Sequence, residues 1–323
     1  MPSPIADLTY RNYDGPLEPP VFRWWAIARA AMMLSLKKRG FWVWAALSGY
    51  WYLFLIIGFY FVDNLVSPNL DINGKNPIFS QVIWKDQFLN AFGISQLLLF
   101  ILALILGAGS IANDNRAKAL LVYLSKPCSR LDYVAGKWFG IFLPITAATA
   151  IPTGIFYFYC AMTYRSYGFL SDDPTLGFRL ILMCLLPGTF YASVVLGISS
   201  LFDQGRMAGA TFAGLYFIPL FLTKFMQFAH MATVDQTGVA PKVIDMLFYC
   251  SMDGIQIAMA KVILHTRGSM LFPGMGGPGG RNPMANSIVP EPSGLIFGAI
   301  FLAVCALCVW VAWSRVRAVE VVG

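Results

Sequence analysis

Residues 107–140 read GAGSIANDNRAKALLVYLSKPCSRLDYVAGKWFG, and this stretch decides the fold. It opens where a long apolar run gives out in small residues and closes where the next apolar run begins. Asp114, Arg116, Lys118, Lys126, Arg130, Asp132 and Lys137 crowd into it, in a chain whose charged fraction is only 12%. Ser129-x-x-Asp132 has the form of a helix N-terminal box, with Pro127 just upstream to stop whatever precedes it. The spacing predicts a short helix over 118–124, a break at Pro127, and a new helix running from Arg130 into an apolar span. Two readings fit these residues, a docking surface and a well-ordered membrane loop.

The rest of the chain is hydrophobic enough to explain why such a stretch stands out. At 58% hydrophobic, with a mean hydropathy of +0.64, it lies outside the range of ordinary soluble domains. Its apolar runs are long enough to cross a hydrocarbon core of about 30 Å. The first 20 residues carry Asp7, Asp14 and Glu18 among prolines, so no signal peptide is expected there. Cys305-x-x-Cys308 sits in an apolar run without polar company, which argues against a redox or metal pair.

In chain order, residues 1–40 form a polar arm and an amphipathic entry helix. Val21, Trp25, Ala28, Met32 and Leu36 are expected on one side of that helix, with Arg23, Lys37 and Lys38 opposite. Lys37-Lys38-Arg39 will not enter hydrocarbon cheaply, so the helix is expected to lie in the interface. Residues 41–228 hold five spans, Phe41–Val62, Phe88–Ala112, Trp138–Met162, Phe178–Phe202 and Met207–Phe228, with the charged loop 113–137 between the second and third. A sixth span, Leu295–Trp313, opens the closing segment 295–323. Between spans five and six lies a long segment, 229–294. Its middle, Val243–Leu264, is apolar but interrupted by Asp245, Asp253 and Lys261. It reads as one or two amphipathic helices resting on the outer leaflet or roofing a cavity, with a seventh span as the alternative.

The cations set the expected orientation. The termini and the loops after spans two and four hold 14 Lys and Arg against 7 Asp and Glu, while the remainder holds 9 of each. By the positive-inside rule both termini are expected in the cytoplasm and 229–294 outside. The whole net charge of +7 is then a topological signal, and no nucleic-acid partner is needed to explain it.

The chain shows none of the chemistry of a nucleotide-hydrolysing or metal enzyme. Gly136-Lys137 is followed by Trp138 and lacks a glycine loop, and Gly274–Gly280 has glycines without a preceding strand or a closing Lys-Ser. His230 and His265 belong to no ligand pattern. No catalytic residue, metal or bound cofactor is expected. The span interiors carry no acidic residue, which weakens an ion-coupled carrier and leaves the driving energy outside this chain.

With those features in hand, the central stretch resembles the cytoplasmic loop of the ABC-2-type family of ABC transporter permeases. The resemblance rests on Gly107 and Gly109, Asp114, Leu120-Leu121-Leu124, Pro127-Cys128-Ser129-Arg130 and Gly136-Lys137, with an Arg-containing exit at Arg315 and Arg317. Many members carry Glu-x-x-x-Gly-Thr before the leucines, where this chain has Asp114 and then Lys118-Ala119. In outline the resemblance covers residues 21–320.

It implies an all-α, polytopic membrane subunit with six transmembrane helices, an N-terminal interfacial helix and a large extracytoplasmic loop, in a bacterial cytoplasmic membrane. It further implies that two permease subunits pair, each resting on a separate cytoplasmic ATP-binding subunit that holds ATP and Mg. Asp114, Arg116, Leu120, Leu121, Lys126, Pro127, Ser129, Arg130, Asp132 and Lys137 would form the coupling surface for that ATPase. Leu120 and Leu121 suit an apolar cleft, and Arg116, Lys126 and Arg130 suit carboxylates. Small residues of the fifth span, Gly209 and Ala213, with Pro219, are expected at the seam between two subunits or along the pathway. The substrate expected is hydrophobic or amphiphilic and moved outward. The alternatives are a non-transporting anchor that drives an envelope machine with accessory proteins, and an ion-coupled carrier.

Overall fold

The computed structural model describes residues 23–66, 79, 82–118, 129–233, 239–268, 289 and 291–316, and every regular element among them is helical. Helix α1 (Arg23–Leu36) leads into α2 (Arg39–Ser48) and α3 (Tyr50–Phe61), which form one apolar rod broken at Gly49 and closed by a π turn over Val62–Val66. The second rod is α4 (Trp84–Gly107) with a tight turn and the short α5 (Ala112–Arg116). Then come α6 (Arg130–Thr163), α7 (Leu176–Ser199) and α8 (Gly205–Thr233). Helices α9 (Val239–Phe248) and α10 (Met252–Leu264) precede the last rod, α11 (Gly294–Arg315).

Six of these rods are long and apolar enough to cross a membrane: Arg39–Asn64, Trp84–Arg116, Arg130–Thr163, Leu176–Ser199, Gly205–Met226 and Gly294–Arg315. They follow the predicted order. The third starts at Arg130 rather than Trp138, because the cap at Ser129 begins the helix about two turns ahead of the apolar run. Pro144 and Pro152 sit inside it, as proline does in membrane helices whose neighbours cover the freed carbonyls.

Helix α7 is the centre of the bundle. It packs against α4, α6, α8, α10 and α11, and every residue from Phe190 to Ser199 is buried. A helix that is apolar all round has to be enclosed on all sides.

Helix α10 departs from the sequence expectation. Instead of lying on a surface, it is inserted between α4, α7 and α11, with Gly254, Ile255, Gln256, Ala258, Ala260, Lys261 and Leu264 buried. Ser251 caps its start by accepting the Gly254 N–H. His265, in the left-handed region at φ 49°, ends it, and the Thr266 N–H returns to the Lys261 carbonyl. That end is tied to the beginning of α4: Lys85 Nζ donates to the His265 carbonyl at 3.1 Å, and the Thr266 hydroxyl donates to Asp86. Its other end reaches Gln96 through Tyr191, about 15 Å further along α4. Helix α10 therefore enters the bundle to about half the length of a span.

Candidate functional site

The turn joining the second and third rods is built from the two helix ends upward. Helix α6 starts with a capping box. The Ser129 hydroxyl accepts the Asp132 N–H at 3.1 Å, and the Asp132 carboxylate accepts the Ser129 N–H at 3.0 Å and its hydroxyl at 2.7 Å. This was legible in the Ser129-x-x-Asp132 spacing.

On the other side of the turn, the end of α4 is stitched to the end of α7. Ser199 Oγ accepts the N–H groups of Ile111 and Ala112, both at 3.1 Å, and donates to the Ala108 carbonyl at 2.9 Å. Asn115 donates to the Phe202 carbonyl at 3.4 Å. The short helix that follows is Ala112–Arg116, and the one predicted over 118–124 lies, from residue 119 on, outside the described residues. Lys118, expected as its first residue, has a left-handed φ of 52° that ends the preceding turn. Residues 119–128, and with them Leu120, Leu121, Leu124, Lys126 and Pro127, lie outside the described residues.

Asp114 clamps the two sides together. Its Oδ2 pairs with Lys137 Nζ at 2.7 Å and accepts the Tyr133 hydroxyl at 2.7 Å. Lys137 also donates to the Ser110 carbonyl at 3.0 Å. Both partners lie on one face of α6, one turn apart. Arg130, for which a clamp onto Asp114 or Asp132 was an option, is exposed and forms no ion pair among the described residues, and Arg116 is exposed as well. The corner thus uses its acids and Lys137 internally and leaves two guanidinium groups outward.

The entry helix is fastened to the same corner. Gly136 and Gly140 are one turn apart on α6, and a Cβ at either would run into α1, against Ile27 and the Trp24 carbonyl at 2.7 Å or Ala31 at 2.6 Å. Trp24 packs on Phe139 with ring centroids 4.8 Å apart. The face of α1 turned to α6 is therefore Trp24, Ile27, Ala28, Ala31 and Ser35. The predicted stripe shares only Ala28 with that face; its Trp25 and Leu36 are exposed, beside Met33 and Leu34. The other side of α1 carries both apolar and cationic groups.

The small residues of the fifth span have neighbours within their own chain. A Cβ on Gly209 would touch Ala108 and Leu104 of the same chain, and Ala213 packs against its own core. Pro219 is half-buried. The outer face of α8 exposes Ile218, Phe221 and Phe225.

Between α2–α3 and α6 lies an apolar cavity of about 330 Å³, lined by Trp42, Gly49, Tyr52, Leu53, Ile151 and Pro152 among others. Its rim residues Trp42, Leu53 and Ile151 are exposed. No part of this was legible beforehand. Nor was the meeting of Asp253 with Tyr191 and Tyr216 at the inner end of α10, since the three come from distant segments.

An all-helical chain with six such rods is a multi-pass membrane protein. The sequence profile described as ABC-2 family transporter protein matches residues 25–315, nearly the whole chain, and the chain belongs to that family. Membership makes it a permease component and implies partnership with an ATP-binding subunit. No curated protein matches the chain.

Proposed function

We propose that this chain is the membrane-spanning half of an ATP-driven exporter, in which the corner around Asp114 and Ser129 receives motion from a separate cytoplasmic ATPase. The observation that carries the reading is the clamp of Asp114 on Tyr133 and Lys137. It makes the end of the second rod and the start of the third one rigid body, with Arg116 and Arg130 facing outward from it. A push on that body passes into α6, and through Gly136 and Gly140 into α1. Exposed guanidinium groups with no ion-pair partner among the described residues suit carboxylates on a docking protein. In this reading ATP and Mg sit in the partner, present in two copies. Two permease subunits pair, both termini are cytoplasmic, and the membrane is a bacterial inner membrane. The apolar cavity beside Gly49 supports a hydrophobic or amphiphilic cargo over a purely mechanical anchor.

Membrane abundance and ATPase co-purification, measured together, test this for Arg130→Ala and Leu121→Asp. Normal abundance with lost ATPase is expected for both, because a carboxylate at 121 would enter an apolar cleft and loss of Arg130 would strand its partner charge. Full retention of the ATPase and unchanged transport-linked ATP turnover in both variants would defeat the proposal.

A further inference from the structure

The inner end of α10 brings a carboxylate to the middle of the bundle. Asp253 accepts the Tyr216 hydroxyl at 2.6 Å on Oδ2 and the Tyr191 hydroxyl at 3.0 Å on Oδ1. Tyr191 also lies 3.1 Å from Gln96 Oε1, half-way along α4. Around this cluster two fully buried amides are left unfinished: Gln96 Nε2 and Gln256 Oε1 have no hydrogen-bond partner among the described residues. Gln256 otherwise donates from Nε2 to the Met252 carbonyl at 3.2 Å, one turn back.

A carboxylate in that place has neutral donors and no counter-ion. Asp253 forms no salt bridge among the described residues. The groups that face it are Tyr191 from α7, Tyr216 from α8 and Gln96 from α4. Helix α11 offers apolar side chains and the thiols of Cys305 and Cys308 along its length. The charge of Lys224, exposed on α8, reaches it only through space. Lys261, on α10 itself, is taken up by the Tyr249 hydroxyl at 3.1 Å and the Val289 carbonyl at 2.7 Å. An ionised carboxylate held only by neutral hydroxyls away from water is costly, and neutralising it by protonation removes that cost. Asp253 keeps a partly accessible edge, so water can deliver the proton.

We propose that Asp253 is a proton-binding site, and that its protonation governs how firmly α10 stays docked between α4, α7 and α11. Burial pushes its carboxyl up to about 6, with the hydrogen bonds from Tyr216 and Tyr191 pulling the other way. Since the docked acid holds its proton more tightly than a hydrated one, docking is strongest below the ordinary carboxylate range and weakens as pH rises through about 6. The acid escapes a search of span interiors because a helix that does not span carries it in.

The test uses the full chain in lipid nanodiscs, titrated in sodium chloride and in choline chloride. Infrared spectra are read for the protonated carboxyl C=O stretch, and hydrogen exchange of residues 252–264 is corrected for intrinsic pH dependence. The expected result is a carboxyl band that disappears as pH rises, in step with faster exchange in α10, both independent of sodium. Asp253→Asn should remove the band and hold α10 at its low-pH protection at every pH. Tyr216→Phe removes a donor to the charged form, so the midpoint should move to higher pH. A band surviving in Asp253→Asn, pH-dependent exchange persisting there, or an unmoved midpoint in Tyr216→Phe would overturn the assignment. Protection that follows sodium with no titrating band would make the cluster a cation site instead, and would equally overturn it.

Discussion

Lys137 and Asp114 stand 2.7 Å apart across the turn between the second and third rods, and each also holds a second group, the Ser110 carbonyl and the Tyr133 hydroxyl. The pair is largely withdrawn from solvent, with side chains 13% and 21% exposed. It is therefore worth more than a surface ion pair and less than a fully buried one.

Breaking it should loosen the corner without unfolding the bundle. Lys137→Met strands Asp114 beside Tyr133 and should cost about 1–3 kcal/mol, between the surface and buried limits. Asp114→Asn keeps an acceptor for Tyr133 and should cost less. A double-mutant cycle on thermal unfolding in detergent measures the coupling. Strict additivity would show that the clamp does not hold.

The cap of α6 is separable from the clamp. Ser129→Ala should lower stability by about 0.5–2 kcal/mol, typical for losing an N-cap oxygen. Asp132→Ala should act in the same direction, and the two losses should not add, because the residues serve each other. Unfolding midpoints of the single and double variants decide this.

At the α1–α6 contact, Gly136→Val has nowhere to put its side chain except into Ile27 and the Trp24 carbonyl. Overpacking of this kind costs about 1–3 kcal/mol. Detachment of α1 should relieve it, so proteolytic cleavage within 23–36 should accelerate while the six rods stay protected. A variant that is cleaved no faster than wild type would contradict the close approach.

The outer end of α10 has its own pH dependence. Burial lowers Lys261 to about 8, partly offset by the charges of Asp86 and Glu291. An unfolded lysine keeps its proton to about 10.4. The folded chain thus binds fewer protons between these values, and stability should rise with pH across that window. Lys261→Met should abolish the rise in unfolding temperature between pH 8 and pH 10.

What could be read in advance followed the range of the interactions. Ser129 and Asp132 are three residues apart, so their box was visible in the spacing, and the six rods were visible as apolar runs. The partner of Asp114 was not, because the fold of residues 108–111 decides which cation comes within reach. Asp253 and Lys261 argued against burial of α10 when taken alone. Their partners, Tyr191, Tyr216, Tyr249 and Val289, lie on other segments and make burial possible. Gly209 showed that a helix could approach closely but not which one, and within the chain it meets Leu104 and Ala108.

The fastening of α1 onto α6 makes the bilayer a mechanical load. Trp25, Met33 and Leu34 are exposed on α1 outside its contact with α6, and aromatic and aliphatic groups on an interfacial helix settle among headgroups and upper acyl segments. Any tilt of the first turns of α6 must drag this paddle through that layer. Under the proposed function, friction in the lipid then enters the rate of the cycle. Membranes of stiffer acyl chains should slow a step that no residue of the corner contacts, and shaving the paddle with Trp25→Ala and Leu34→Ala should remove that sensitivity.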